Sequence, residues 1–192
     1  MNATSRADLI FVLAGREIRK HYALELYREN YSGRLLLSVA RYEVRRFSSL
    51  PWPKKINFRD IAASVHPPER HFFVCFAGDS VTVDQIVVGR WGTLSEIRAL
   101  AAWLETHRNV RRVLIVSSHS HLPRIRLCCQ HLLKPSIEWE LVPVPPNFAP
   151  STSEGRTDTG RIFAFDLKEL PKLLCYRLAF LLVPKKMAGR AI

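Results

Sequence analysis

Runs of apolar residues without alternation recur along the chain, and helical patterns separate them. Residues 8–13 (DLIFVL), 34–39 (RLLLSV) and 113–116 (VLIV) are short and rich in β-branched or aliphatic side chains. Such runs predict strands buried on both faces of a sheet. After the break at Ala14-Gly15, Ile18, Tyr22 and Leu26 recur at helical spacing, with Ala23 and Tyr27 beside them. Arg19, Lys20, Glu25 and Arg28 are expected outside that face. The order β-loop-α-β predicts a right-handed unit with parallel strands.

Residues 41–90 are less regular. Val44 and Phe47 suit a short helix, and Pro51 and Pro53 stop it. Residues 71–77 (HFFVCFA) predict a strand, Gly78-Asp79 a turn and 81–88 a second strand, as a hairpin or an added sheet edge. This run is expected to be an irregular insertion between two regular halves.

Helical spacing resumes over 93–107, with Leu94, Ile97, Leu100, Ala101 and Leu104 on one face. Thr93 and Glu96 have the T-x-x-E spacing of a capping box. The strand at 113–116 then runs into Ser117-Ser118-His119-Ser120-His121, and a helix with Pro123 in its first turn follows. Residues 139–142 predict a last strand, 147–160 a mobile loop and 166–183 a closing helix. The expected fold is α/β, a Rossmann-like three-layer sandwich with a mostly parallel sheet, forming one domain over residues 1–192.

Composition changes this picture little. At 192 residues and 47% hydrophobic, the chain suits one globular domain that needs neither disulfides nor a structural metal. Cys75, Cys128, Cys129 and Cys175 form no C-x-x-C pair, so they are expected to be buried, reduced thiols. No uncharged apolar stretch reaches the roughly 20 residues of a membrane span. The start of the chain reads as a first core strand rather than a signal peptide, and a cytoplasmic location is expected. The net charge of +12 is scattered in small clusters, without zinc-finger spacing or an aromatic RNA-binding signature. No nucleic-acid partner is expected.

Chemistry concentrates where strands end. Loops at the carboxyl ends of parallel strands are where open α/β sheets bind ligands. His121 and Arg124, at a helix start, suit an anionic group, and His121 suits proton transfer. Ser117 and Ser118 suit hydrogen bonds to a phosphate or a sugar hydroxyl; as nucleophiles they lack a G-x-S-x-G elbow. Glu96 either caps its own helix or reaches into the pocket. Thr93 reads as a cap, Ser38 as a strand end, and Arg19 as an anion clamp or a surface ion pair. His119 reads as a plain loop residue. A His119–His121 metal pair would need Glu96 or Asp79 as a third ligand, which the spacing does not support, so no metal site is expected.

Four blocks resemble the YdcF-like family of bacterial α/β proteins, also described as the DUF218 domain, with its SanA- and ElyC-type members. They are VLAG-x-x-x-R-x-x-x-A-x-x-LY with Gly15, Arg19, Ala23 and Tyr27; LLLS ending at Ser38; the helix opening at Thr93 with Glu96; and V-S-S-x-x-H-x-P-R with Ser117, Ser118, His121, Pro123 and Arg124. The resemblance implies a Rossmann-like fold with a pocket at these strand ends, and a setting in cell-envelope or exopolysaccharide metabolism. It implies His121 and Glu96 as catalytic candidates. Gly15, Arg16, Arg19, Ser38, Thr93, Ser117, Ser118 and Arg124 are then ligand-binding candidates for a nucleotide- or sugar-phosphate-like anion. The family's activity is poorly defined, so whether this chain is an enzyme stays open. S-adenosylmethionine binding, proposed for one member, and a non-catalytic regulatory or assembly role with a vestigial pocket are the alternatives. The chain departs from the family at Ala14, Val39 and Ser95 and has no G-x-G-x-x-G, so no dinucleotide cradle and no particular cofactor is implied. The closing helix, with Lys185-Lys186 after it, is the candidate for peripheral membrane contact.

Overall fold

The structure, a computed structural model, describes residues 6–47, 50–89, 91–149, 171 and 174–178. In chain order its elements are β1 (Leu9–Val12), α1 (Glu17–Arg28), β2 (Arg34–Ala40), α2 (Val44–Phe47), α3 (Phe58–Ala63), β3 (His71–Ala77), β4 (Ser80–Gln85), α4 (Gly92–Thr106), β5 (Arg112–Ser117), α5 (Leu122–Leu132) and β6 (Glu138–Pro143). Short 3-10 turns precede β3 at Pro67–Glu69 and α5 at His119–His121.

The six strands form one mixed, mostly parallel sheet in the order β4-β3-β2-β1-β5-β6. β1 lies parallel to β2, with Ile10 opposite Leu35, and parallel to β5, with Phe11 opposite Ile115. β6 continues the parallel set beside β5. β3 and β4 are an antiparallel hairpin that extends the sheet past β2, so residues 71–85 are an added edge as well as a local hairpin.

Successive residues of a strand point to opposite faces, and the core divides accordingly. Ile10, Val12, Leu35, Leu37, Leu114 and Val116 pack in one apolar cluster with Ala23 and Leu24 of α1, Phe47 of α2 and Phe58 of α3. Leu9, Phe11, Leu36, Val113 and Ile115 pack in the other with Ile97, Leu100 and Leu104 of α4 and Ile125, Cys128 and Cys129 of α5. Sheet residues apolar on both sides are what this requires, and the unalternating runs supply them.

Several local expectations are corrected. Arg19 and Lys20 of α1 are buried rather than outward. Each has a distant partner, Ser118 for Arg19 and Glu43 for Lys20, and pairing is what allows a charge to be buried. Thr93 is not an N-cap: α4 begins at Gly92, and no side chain caps it. Cys175 is exposed, unlike the other three cysteines. The expected loop at 147–160 falls outside the described residues from 150 onward. Of the expected closing helix, Pro171 and residues 174–178 are described, and they are helical. Among the described residues no helix is long and apolar enough to cross a membrane.

Candidate functional site

β1 and β5 are neighbours, but the chain leaves them in opposite directions. From β1 it passes through α1 to β2 on one side; from β5 it passes through α5 to β6 on the other. Such a reversal leaves a crevice outside the carboxyl ends of the two strands, where the following loops part. A cleft of about 830 Å³ lies there. Ala14, Gly15, Arg16 and Arg19 line it from the first loop and helix, Thr93 and Glu96 from α4, and Ser117, His121 and Arg124 from the second loop and helix. Of the catalytic and ligand-binding candidates named from the sequence, Ser38 and Ser118 are the two that are not part of its lining.

Arg19 is the most deeply buried cation of the cleft lining, 4% exposed. It donates from Nε to Ser118 Oγ at 2.9 Å and from Nη1 to the Ala14 carbonyl at 3.1 Å, bridging the two strand-end loops. Burial lowers its pKa to about 10, against an opposing pull from Glu96. It therefore keeps its charge at neutral pH while standing in a poorly hydrated place, which strengthens its attraction for an anion. Ser118 acts here as the support of Arg19 rather than as a wall of the cleft.

Glu96 is 5% exposed. Its Oε1 accepts the Ala14 backbone N–H at 2.8 Å, tying α4 to the loop after β1. The choice between capping its helix and reaching into the pocket is thus decided for the pocket. Thr93 likewise turns outward from its helix, and its Oγ1 accepts a hydrogen bond from Arg124 Nε at 3.1 Å.

Arg124 also donates from Nη2 to His121 Nδ1 at 2.8 Å. That bond makes Nδ1 an acceptor and assigns the imidazole proton to Nε2. His121 closes the 3-10 turn immediately before α5, so it and Arg124 are brought together by one helical turn of sequence. The Arg124 guanidinium carbon lies 5.8 Å from the centroid of the Tyr176 ring, within cation–π range.

Ser117, the last residue of β5, is 0% exposed, and its Oγ has no hydrogen-bond partner. Burying a hydroxyl without a partner is costly, so such atoms are few in native proteins and each asks for an explanation. Ser38 is placed elsewhere. It is buried in β2 with its Oγ 2.7 Å from His71 Nε2, and the same nitrogen lies 3.6 Å from Glu96 Oε1. Ser38 thus reaches the site only through His71 and Glu96.

Sequence reasoning missed His71, Trp91, Cys175 and Tyr176. Tyr176 is buried; its hydroxyl accepts the Leu94 N–H at 3.4 Å, and its ring is T-shaped to that of Trp91 with centroids 5.0 Å apart. A lone tyrosine amid the leucines of 173–182 was the one available hint. Nothing local marked His71, which stands where the β3 run begins. Among the described residues no group of three His, Cys, Asp or Glu side chains is placed to hold a metal ion. No family model, no curated protein and no solved structure matches this chain.

Proposed function

We propose that the chain is a bacterial YdcF-like protein of Rossmann-like, three-layer form. It binds a small anionic molecule of the nucleotide- or sugar-phosphate type in the cytoplasm and serves cell-envelope or exopolysaccharide metabolism. The observation that carries the reading is the unpartnered, buried Ser117 hydroxyl in a cleft shared with Arg19 and Arg124. A phosphate oxygen accepts hydrogen bonds from a hydroxyl and from guanidinium groups alike, so a single anion suits the Ser117 hydroxyl and the two arginines beside it. His121, with its proton on Nε2, adds a donor, or an acid–base group if a reaction occurs there.

The test is a thermal-shift panel of inorganic phosphate, nucleotides, nucleotide sugars and S-adenosylmethionine. A ligand at 100 times its Kd stabilises by about 2.7 kcal/mol. The expected result is a shift with phosphate-bearing compounds that His121→Ala and Arg124→Ala both reduce. No shift with any compound, or a shift untouched by both substitutions, refutes the reading. A shift with S-adenosylmethionine alone selects that ligand instead.

A second reading, a non-catalytic assembly protein with a vestigial pocket, draws on Leu174 and Leu178, which are 59% and 51% exposed on the described helical residues near the cleft. It predicts no ligand shift and a partner docked through those leucines, lost in Leu174→Asp.

A further inference from the structure

A binding site for an anion has no evident use for a carboxylate, yet Glu96 stands in this one beside Arg19. Glu96 is 5% exposed, and Oε2 is not among the buried polar atoms without a partner, so the surface it keeps faces the cleft that Glu96 lines. Oε1 is occupied by the Ala14 N–H. Among the described residues none donates a hydrogen bond to Oε2. His71 Nε2 lies 3.6 Å from Oε1 and 2.7 Å from Ser38 Oγ, and neither residue is part of the cleft lining. Ser117 supplies a second, independent sign that a ligand belongs here, since its buried Oγ lacks any partner and it shares the cleft lining with Glu96.

We infer that the cleft recognises a hydroxylated phosphate ester, a polyol or sugar phosphate in chemical class, and does so by its hydroxyl as well as its phosphate. The inference rests on the phosphate reading above. The phosphate meets Arg19, Arg124 and the Ser117 hydroxyl, while a ligand hydroxyl donates to Glu96 Oε2. A carboxylate at that position repels a bare phosphate and rewards only an ester that brings a hydrogen to it. Glu96 is then the specificity residue of the site, and His71 and Ser38 are positioning residues that act through it.

Calorimetric titration of matched pairs tests this. Glycerol 3-phosphate, ribose 5-phosphate and glucose 6-phosphate are each compared with the unbranched alkyl phosphate of equal carbon number, with inorganic phosphate as reference. In the unmodified protein at least one hydroxylated ester binds tighter than its alkyl partner by roughly tenfold or more, the worth of one hydrogen bond to a charged acceptor. Glu96→Gln sharpens the test. The Ala14 N–H keeps the glutamine Oε1 as its acceptor, which turns the amide NH₂, a donor, to the place of Oε2. A ligand hydroxyl can accept from that amide, but only in a neutral hydrogen bond, so the hydroxyl advantage falls, while inorganic phosphate binds as tightly or more tightly because a negative charge has gone. Loss of a structural residue would weaken both together. Equal binding of hydroxylated and alkyl esters in the unmodified protein overturns the inference and leaves the phosphate reading intact, and this arm holds even if the variant fails to fold. An advantage undiminished in Glu96→Gln also overturns it. Absence of binding by every phosphate removes the phosphate reading and the inference with it.

Discussion

Gly15 stands against the Arg19 guanidinium: a Cβ at position 15 would lie 3.0 Å from Arg19 Nη1 and 3.4 Å from its Cζ. Gly15 also has φ of +133°, a backbone conformation that side chains with a Cβ avoid. An arginine on a surface helix would swing away from such a Cβ at little cost. Arg19 cannot, because moving it breaks its bonds to Ser118 and Ala14 and leaves a buried charge unsupported. The G-x-x-x-R spacing is therefore one device, a glycine that makes room for the cation four residues on.

Gly15→Ala is expected to destabilise the protein by about 1–3 kcal/mol, the range for backbone strain at such sites. Urea unfolding should show a lower midpoint with the slope unchanged. The same substitution should weaken phosphate binding, since Arg19 is displaced. If Gly15→Ala unfolds at the midpoint of the unmodified protein, the close approach does not hold in solution.

The strands were legible because their signal is short-range. Leu9–Val12, Arg34–Ala40 and Arg112–Ser117 are apolar enough to be buried on both sides, and their order with helical spacing between them led to an α/β sheet. The cleft was legible for a related reason, as strand ends and helix starts mark where loops must turn. What stayed hidden depends on partners far along the chain. Thr93 and Glu96 have the spacing of a local cap, but the Ala14 N–H, 82 residues from Glu96, is the donor that the carboxylate takes. Lys20 looked like a solvated charge until Glu43 came to lie against it. His71 offered no pattern at all, since a histidine at the mouth of a strand gains a role only when Ser38 and Glu96 are placed beside it.

The four cysteines should divide into one fast thiol and three slow ones. Burial raises the Cys75 thiol to about 11, the Cys128 thiol to about 12, and that of Cys129 further in the same direction. The thiolate is the reactive form, so these three should resist a thiol reagent at neutral pH. Cys175 is exposed and lines the cleft. One equivalent should react in the native protein and four in denaturant, with Cys175→Ser removing the native one. A phosphate ligand in the cleft should slow that reaction. Native labelling that persists in Cys175→Ser would contradict the placement.

His21 gives stability a dependence on mild acid. Burial lowers its pKa from the ordinary 6.5, against an upward pull from Glu17, whose Oε1 lies 3.7 Å from His21 Nε2. Between that lowered value and 6.5 the unfolded chain binds more protons than the folded one, so stability rises with pH across this window and falls on acidification through it. Unfolding midpoints taken from about pH 7.5 down to about pH 5.5 should decline more steeply for the unmodified protein than for His21→Gln. Parallel declines would place the titration on other groups.

Ser117→Ala is expected to move stability and binding in opposite directions. A buried hydroxyl without a partner costs about 1–3 kcal/mol, and removing it returns most of that while opening only a small void. The other such atom among the described residues, Trp103 Nε1, does not line the cleft and serves as the contrast. Ser117→Ala should therefore raise the stability of the ligand-free protein by about 1 kcal/mol, a shift of a few degrees in Tm for a domain of this size. The stabilisation produced by a phosphate ligand should fall, because one of its donors is gone. Trp103→Phe removes an unpartnered donor too, but it should leave the ligand response as it was. If Ser117→Ala destabilises the free protein by more than about 1 kcal/mol, the hydroxyl is satisfied in solution and the ligand loses its strongest support.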